Sequence, residues 1–263
     1  MAMMAAAQIV AADPVAVSLE LGGYRAVIGT ALACREAALA LRAMAFRNGK
    51  TDADRFDDDC QHGCVTTTTG TAKVAFRVRV FDDSATLSGS YTGQHYDLSS
   101  LCAMQGPYLE LGRFCQSEGP VDTAAVRLAW AALGVLVDRA RVGLMFGCSS
   151  FPGADPEKHR AELALLRTRH LGPETLRPRR LSVNAVDLPS SAVNNANLPP
   201  LLRSYLGMGG WVSDHAVQDP GLDRLHVFTG LAIDAIPEPR KARLRALAQA
   251  AQSTPLDLAP AAP

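Results

Sequence analysis

The segment that most constrains the fold of this chain is residues 108–115, Tyr-Leu-Glu-Leu-Gly-Arg-Phe-Cys. It has the apolar character of a short buried strand, yet it carries a carboxylate and a guanidinium. A buried charge without a partner costs several kcal/mol, so Glu110 and Arg113 each need a partner or a cavity. Side chains of a regular strand alternate between faces, which would place Glu110 and Arg113 on opposite faces. A glycine inside a strand often marks a bulge, and we predict one at Gly112 that restarts the alternation.

Two interpretations of this segment are open. A bulged strand that holds two charges at its kink can form a catalytic centre. A structural ion pair at the margin of a sheet requires no further function. The eight residues alone favour the structural ion pair between Glu110 and Arg113.

The composition is that of an ordinary globular protein. The chain has 263 residues, of which 48 % are hydrophobic and 20 % charged, enough to bury a sizeable core. Its formal net charge is zero, so an electrostatic partner must meet a local patch, and we expect no nucleic-acid partner. The six cysteines are scattered without a CxxC pair, which indicates reduced thiols in the cytoplasm. The most apolar helical candidate, residues 128–137, is well below the ~20 residues that a membrane span requires.

Hydrophobic periodicity predicts helices that alternate with strands. The predicted helices comprise residues 31–46, 121–141, a segment starting at Asp155-Pro156, 198–208 and 238–252. The predicted strands comprise residues 24–30, 60–69, 72–81, 108–115, 144–149, 181–186, 211–217 and 225–233. No repeat is visible, so the predicted class is α/β or α+β around one mixed sheet.

Three other groups of residues have side chains that could carry chemistry. Cys60, His62 and Cys64 resemble zinc ligands, but alternate strand residues lie ~6.6 Å apart and a fourth ligand is missing, so we predict no metal site. Cys148 and the two serines after it lack a Gly-x-Ser-x-Gly elbow, which argues against a nucleophile there. The third group is a run of basic residues: Lys158, Arg160, Arg167, Arg169, Arg177, Arg179 and Arg180. Such a run can be a solvated face or a patch that docks an acidic protein or anionic lipid.

The spacing of several charged residues is similar to a known family. Arg42 to Phe46, Asp54 to Asp57, Arg77, and Glu110 to Arg113 resemble the invariant set of the acyl-homoserine-lactone synthases. Those enzymes have a GNAT-like fold and use acyl-acyl carrier protein.

A longer resemblance, over about residues 24–233, is to a sister group, the ornithine-acyl-[acyl carrier protein] N-acyltransferases of ornithine-lipid synthesis. Its motifs stand at residues 54–62 (DRFDDDCQH), 109–115 (LELGRFC), 144–151 (LMFGCSSF) and 198–206 (LPPLLRSYL). The chain departs from the group at residues 222–224, where Phe-Asn-Thr is expected, and at His226, where Asp is expected.

The resemblance implies an α/β fold in a single domain, with a GNAT-like mixed central sheet flanked by helices. We expect a flexible lead over residues 1–20, the acyltransferase domain over 21–236, a basic C-terminal helix over 237–252 and a disordered tail over 253–263. The implied reaction moves a 3-hydroxyacyl chain from acyl carrier protein to the α-amine of L-ornithine, giving lyso-ornithine lipid. An autoinducer synthase acting on S-adenosylmethionine and a non-catalytic GNAT-like lipid- or carrier-binding module remain alternatives.

The resemblance also assigns roles to residues. Glu110, Arg113 and Asp57 are the expected catalytic residues, with Glu110 holding or deprotonating the ammonium group directly or through water. The expected substrate-binding residues are Asp54, Arg42, Phe46, Arg77 and His62. Asp54 and Asp57 would supply negative potential for the amines of ornithine, and the arginines would pair with those carboxylates. Part of this set can instead be purely structural, because buried ion-pair networks also perturb pKa values.

The donor and the partners follow from the loop after the central strand. Residues 116–122 (QSEGPVD) contain one glycine and two carboxylates, which suit a pyrophosphate poorly, so we expect no coenzyme A or other cofactor. The expected donor is 3-hydroxyacyl-phosphopantetheine on acyl carrier protein, which would dock on Arg167, Arg169, Arg179 and Arg180. The basic helix over residues 238–252 could rest on anionic lipid or pack on the domain. We therefore expect a cytoplasmic protein with possible peripheral contact at the inner face of the cytoplasmic membrane.

Overall fold

A mixed nine-stranded sheet forms the centre of the computed structural model, which describes residues 15–190 and 196–252. In chain order its strands are β1 (Val15–Leu21), β2 (Tyr24–Gly29), β3 (Gln61–Thr67), β4 (Ala72–Phe81), β6 (Tyr108–Gln116), β7 (Leu144–Pro152), β9 (Ala185–Asp187), β10 (Trp211–Asp219) and β11 (Arg224–Ala232). A separate pair is formed by β5 (Tyr96–Asp97) and β8 (Arg179–Arg180). The α-helices are α1 (Leu32–Arg47), α2 (Thr123–Arg139), α3 (Arg160–Arg169), α4 (Pro200–Gly207) and α5 (Glu238–Gln252).

The order of the strands in the large sheet is β1-β2-β3-β4-β6-β7-β11-β10-β9. Neighbouring strands run antiparallel at every pairing of this sheet except that between β6 and β7, which is parallel. The parallel pairing covers only residues 108–110 of β6 and 144–146 of β7, although both strands continue for several residues beyond it. The two strands therefore separate in the middle of the sheet.

Alternation along β4 places different helices on the two faces of the sheet. Val74, Phe76 and Val78 belong to the core that α2 and α5 cover, whereas Ala75 packs against α1. On the α2 side, α3 and α4 extend the layer over β10 and β11. The opposite face is completed by short 3₁₀ turns between residues 84 and 103, which pack around Tyr96.

The helix ends follow local chemistry. α1 ends before Asn48, which adopts the left-handed conformation (φ 51°) that asparagine tolerates. α2 begins after Asp122, whose carboxylate accepts a hydrogen bond from the N–H of Ala125 at 3.1 Å. The predicted helix–strand order is confirmed, with shifts of a few residues at the boundaries.

Two expectations need correction, and two others fall on residues that the structure does not describe. Residues 15–20 are not a flexible lead but part of β1, because Val17 and Leu19 bury their side chains in the core under α2 and α5. The strand predicted at 181–186 occupies Ala185–Asp187, where it pairs with β10. Residues 1–14 and the predicted tail at 253–263 lie outside the described residues.

Helix α5 has the predicted extent and packs on the domain. Leu244, Leu247 and the buried Ala248 contribute to the core shared with α2 and β1, and Arg245 pairs with Asp138 of α2. Its apolar face is therefore occupied by protein and not by lipid. Within the described ranges, no helix combines the length and hydrophobicity that crossing a bilayer demands.

Candidate active site

The predicted bulge in β6 is confirmed, but it is centred on Arg113 and not on Gly112. In the pairing with β4, Arg77 faces Gly112 and Ala75 faces Cys115, so two residues of β6 stand opposite one residue of β4. Arg113 adopts a φ of 53°, a conformation uncommon for a residue with a side chain. The extra residue restarts the alternation and brings Glu110 and Arg113 to the same face.

Contacts with Tyr91 show that Glu110 and Arg113 share a face. The backbone N–H of Tyr91 donates to Glu110 Oε2 at 3.2 Å, and the guanidinium of Arg113 lies 4.7 Å from the centre of the Tyr91 ring. The ion pair predicted between Glu110 and Arg113 is wrong, because each side chain has other partners.

Glu110 is buried and held by the residues that follow a 3₁₀ turn. Its Oε1 accepts hydrogen bonds from the N–H of Thr92 at 2.7 Å and from the hydroxyl of Thr92 at 2.6 Å. With the Tyr91 N–H on Oε2, three of roughly four acceptor positions of the carboxylate are occupied. Among the described residues, the carboxylate is therefore fixed in place without an arginine or lysine partner, and one of its acceptor positions is not used.

A buried network of arginines and aspartates lies beside the bulge. Arg42 is 0 % exposed and donates to Asp52 at 2.9 Å and to Asp57 at 2.6 Å. Arg77 donates to Asp54 at 2.6 Å and to Asp57 at 2.9 Å. Arg113 closes the network with hydrogen bonds to Asp52 and Asp54, both at 3.1 Å. The predicted pairing of the arginines with Asp54 and Asp57 is confirmed, and Asp52 is an additional member.

Asp57 is enclosed by the arginines of this network. Burial acts to raise the pKa of Asp57, but the hydrogen bonds and charge of Arg42, with the charge of Arg77, hold it well below its usual value. Asp57 also accepts the N–H of Asp54 at 2.8 Å. Its carboxylate is enclosed and does not line the cavity described below, and a part of Asp57 in catalysis stays a prediction.

The other predicted substrate-binding residues divide into two groups. Phe46 lines the cavity together with Glu110 and Arg113. His62 is buried, and its Nε2 lies 3.2 Å from the backbone carbonyl oxygen of Asp57, so it contacts the network through the backbone. The residues that do not line the cavity are Arg42, Asp54, Asp57, His62 and Arg77. Because their charges are paired, Asp54 and Asp57 do not supply the free negative potential expected for a cationic substrate.

A cavity of about 530 Å³ occupies the gap between the diverging strands β6 and β7. Gly147 stands at the point of divergence, where a Cβ atom would come within 2.2 Å of the Leu111 carbonyl oxygen. Residues from both faces of the sheet line the cavity, so it passes through the sheet. The two ends differ in chemistry.

The end on the α1 side is polar. It is lined by Glu110, Tyr91, Arg224, His226 and Cys148. Burial raises the pKa of the Cys148 thiol to about 12, which keeps this sulfur protonated and unsuited to nucleophilic attack. The hydroxyl of Thr229 donates to Ser149 at 2.9 Å, and no hydrogen bond within the described residues joins this serine to a base that would activate it.

The end on the α2 side is apolar and aromatic. Phe114 stacks on Trp130 with ring centres 6.0 Å apart, and Trp130 meets Tyr205 edge to face at 5.4 Å. Val126 of α2 and Leu201 of α4 complete this wall. Such a lining is suited to an alkyl chain.

The loop that leads from β6 into α2 offers little to an anion. The carboxylate of Asp122 caps α2 and accepts the hydroxyl of Tyr24 at 2.7 Å. This carboxylate occupies the helix N-terminus at which a phosphate group would otherwise be held.

Comparisons with known proteins agree with this architecture. A family model of the acetyltransferase (GNAT) domain matches residues 35–131. An L-ornithine Nα-acyltransferase of Brucella abortus is 32 % identical over 205 residues, covering 70 % of this chain and 71 % of the relative. The chain belongs to the L-ornithine Nα-acyltransferase family. A relative of the same name from Rhizobium meliloti is 30 % identical, covering 71 % of this chain and 68 % of its own length.

Two further matches complete this comparison. The L-ornithine Nα-acyltransferase of Rhodobacter capsulatus is 31 % identical, and the alignment spans 64 % of this chain and 66 % of that relative. The solved structure of FeeM, an N-acyl amino acid synthase from uncultured soil microbes, has a TM-score of 0.43 at 10 % identity and covers 86 % of this chain and 97 % of FeeM. A structural likeness this distant carries no argument about function.

In this member of the L-ornithine Nα-acyltransferase family, several site residues were not among those predicted from the sequence. Asp52 could have been found by counting charges, because three buried arginines with two aspartates leave one arginine unpaired. Tyr91 and Thr92 lie among 3₁₀ turns that have no periodic signal. Arg224 and His226, the positions that depart from the family pattern, both line the cavity.

Proposed function

We propose that this protein transfers a 3-hydroxyacyl chain from acyl carrier protein to the α-amine of L-ornithine, giving lyso-ornithine lipid. The observation that carries the proposal is the cavity through the sheet, with one apolar and one polar end. An acyl thioester and an amino acid can meet there from opposite faces, each in surroundings that match its polarity.

The donor would enter from the side of α2 and α4. Beyond residues 110 and 146 the facing edges of β6 and β7 are not paired with each other, so their backbone groups can bind the amides of a phosphopantetheine arm. The acyl chain would lie between Phe114, Trp130 and Tyr205. The Asp122 cap at α2 disfavours a pyrophosphate, which supports a carrier-protein donor over coenzyme A.

The acceptor would enter from the side of α1, where Glu110 faces the gap. The deprotonated α-amine attacks the thioester carbonyl, a C–N bond forms, the C–S bond breaks, and the carrier thiol leaves with a proton. Glu110 would accept the proton of the ammonium group, directly or through water, at its open acceptor position. Backbone N–H groups at the bulge around Arg113 would stabilise the oxyanion of the tetrahedral intermediate.

Docking of the carrier protein remains a proposal. The docking residues predicted from the sequence are Arg167, Arg169, Arg179 and Arg180, and none of them lines the cavity. Arg167 donates to the Leu188 carbonyl oxygen, and Arg180 pairs with Asp187. Arg127 of α2 is exposed and lines the cavity. Arg203 of α4 is also exposed, two residues from Leu201 and Tyr205 of the apolar wall. Both arginines are therefore stronger candidates for docking the carrier protein.

We also propose a cytoplasmic location with peripheral contact at anionic membrane. The product is an amphiphile that has to reach a bilayer. The apolar face of α5 is packed on the domain, which leaves only its exposed basic residues, such as Arg240 and Arg243, for an electrostatic contact.

Purified protein mixed with 3-hydroxyacyl carrier protein and L-ornithine, followed by mass spectrometry, tests the function. We expect acyl-ornithine and free carrier thiol in equal amounts. Parallel reactions with S-adenosylmethionine test the autoinducer-synthase alternative, for which an acyl-homoserine lactone would be the product. If the carrier protein binds but no amine is acylated, the protein is a binding module and the proposed reaction is refuted.

A further inference from the structure

The hairpin of β10 and β11 carries part of a second group of titratable side chains, of which His226 lines the polar end of the cavity. Asp219 ends β10 and pairs across the hairpin with Arg224, which begins β11, and His226 follows two residues later. His95, from the 3₁₀ region on the same face, completes the group. The donor atoms of His95, Asp219 and His226 all lie within 4.8 Å of one another.

This group is connected to both the cavity and Glu110. His226 lines the cavity and is buried, and its Nδ1 has no hydrogen-bond partner in the part of the chain that the structure describes. Tyr91 donates its backbone N–H to Glu110 and its hydroxyl to Asp219 at 3.3 Å. The carboxylates of Glu110 and Asp219 are therefore separated by about the length of a tyrosine residue, from its backbone nitrogen to its hydroxyl oxygen. The α- and side-chain nitrogens of a diamino acid are separated by a comparable stretch of chain.

We propose that Asp219, His95 and His226 bind the side-chain ammonium group of the acceptor amino acid, and so select ornithine over amino acids with an uncharged side chain. The inference rests on the proposed function, which places the acceptor at this end of the cavity. Asp219 provides the negative charge, and the two imidazoles provide acceptors without positive charge.

Geometry favours an ammonium group over a metal ion. His226 Nε2 lies 3.8 Å from Asp219 Oδ2, and the whole group spans up to 4.8 Å. Three hydrogen bonds of about 2.9 Å to one ammonium nitrogen place their acceptors roughly 4–5 Å apart. Zinc bonds of about 2.0–2.2 Å in a tetrahedral site place the ligands only roughly 3.4 Å apart.

The protonation of the imidazoles is compatible with a bound cation. Burial lowers the pKa of His95, and burial together with the charge of His95 lowers the pKa of His226, so both rings are neutral near pH 7. Arg113 lies nearby, but Asp52 and Asp54 balance its charge.

Arg224 is the remaining cation beside this group. Arg224 lines the cavity, donates to the carbonyl oxygen of Ala45 and lies over the ring of Phe46. Among the described residues, no carboxylate lies within salt-bridge distance of its guanidinium. The α-carboxylate of the same amino acid is a suitable partner for this guanidinium. An amino acid with a cationic side chain would thus find one complementary charge for each of its own.

The experiment compares L-ornithine with L-norvaline, which has the same carbon skeleton without the δ-amine. Steady-state kinetics are measured with the wild type, with Asp219→Asn, and with Asp234→Asn as a control at an exposed carboxylate. Asparagine has the shape of aspartate and retains an oxygen for the N–H of Leu222, so the fold is preserved. We expect Asp219→Asn to raise the KM for ornithine by roughly 10- to 100-fold, the loss of one charge-assisted hydrogen bond. The kcat should change little, and the preference for ornithine over norvaline should be lost.

The outcomes separate this inference from the proposed function. If ornithine is acylated and preferred equally by wild type and Asp219→Asn, the inference is overturned and the proposed function stands. Equal use of norvaline and ornithine by the wild type has the same meaning. Acylation of neither amino acid refutes the proposed function and the inference together. Activity that is lost on chelation and restored by zinc in the wild type, but not in His226→Gln, would assign the group to a metal and overturn the inference.

Discussion

Arg42 is the residue at which the energetics of the buried network can be tested most directly. Its guanidinium makes four hydrogen bonds, to the carboxylate and carbonyl oxygen of Asp52 and to both oxygens of Asp57, and none of it is exposed. Arg42→Met keeps much of the apolar stem but leaves two buried carboxylates short of a partner. Removing one member of a buried charge pair typically costs about 3–5 kcal/mol.

The measurement is urea unfolding of Arg42→Met and of the control Arg35→Met. Arg35 pairs with Asp58, whose side chain is 74 % exposed, and surface pairs of this kind contribute about 0–1 kcal/mol. We expect a loss of about 3–5 kcal/mol for Arg42→Met and less than about 1 kcal/mol for Arg35→Met. Arg42→Met with Asp57→Asn restores the balance of charges and should recover part of the loss. Similar stabilities of the two single variants would refute the reasoning.

The pH dependence of the Arg42 effect has a definite sign. The pKa of Asp57 is lower in the folded protein than its unfolded value of about 3.9, so the unfolded state binds more protons between the two values. The contribution of Asp57 to stability is complete above about pH 4 and decreases as pH falls toward the folded pKa. The difference between wild type and Arg42→Met should therefore be constant from pH 7 to pH 5 and shrink in strong acid. A difference that already vanishes at pH 5 would contradict this assignment.

Three further predictions concern the cavity. Glu110→Gln should keep the fold and lower turnover by roughly 10²-fold or more. The control Glu118→Gln, in the exposed loop, should leave turnover unchanged. Wild-type turnover in Glu110→Gln would exclude Glu110 as the base. Gly147→Ala forces a methyl group against a backbone carbonyl of β6 and should destabilise by about 1–3 kcal/mol in urea unfolding. Its control, Gly134→Ala, has open space within a helix and should stabilise by about 0.5–1 kcal/mol, and equal effects would contradict the close approach at residue 147. Arg127→Glu should raise the KM for acyl carrier protein more than reversal of any of the four arginines predicted for docking, and the opposite order would move the docking surface away from the cavity mouth.

The sequence predicted those features of the site that local rules control. Two charges in an apolar strand required partners, and Gly112 signalled an irregularity that the structure places one residue later, at Arg113. Hydrophobic periodicity identified α1, α2 and α5 almost to their ends, because each buries one face against the sheet.

The remainder of the site depends on contacts between distant parts of the chain. The hydroxyl of Tyr91 meets Asp219, 128 residues away, and nothing local to either residue indicates that contact. The polar partner of Glu110 comes from a region of 3₁₀ turns, whose short hydrogen-bonding pattern leaves no periodic signature. The burial of Asp57 depends on the tertiary structure for a related reason: the sequence indicates that arginines pair with this carboxylate but not that the pair is enclosed.

The short parallel pairing between β6 and β7 divides the large sheet into two leaves, β1-β2-β3-β4-β6 and β7-β11-β10-β9, joined by three residue pairs. Each leaf keeps its own continuous ladder of hydrogen bonds, and part of the cavity wall is formed by side chains of α2 and α4, which belong to neither ladder. Substitutions on α2 and α4 at the cavity wall can therefore alter the length of the chain that is accommodated without disturbing the pairing within either leaf. In a scaffold of this kind, acyl-chain preference is free to diversify while the fold is preserved.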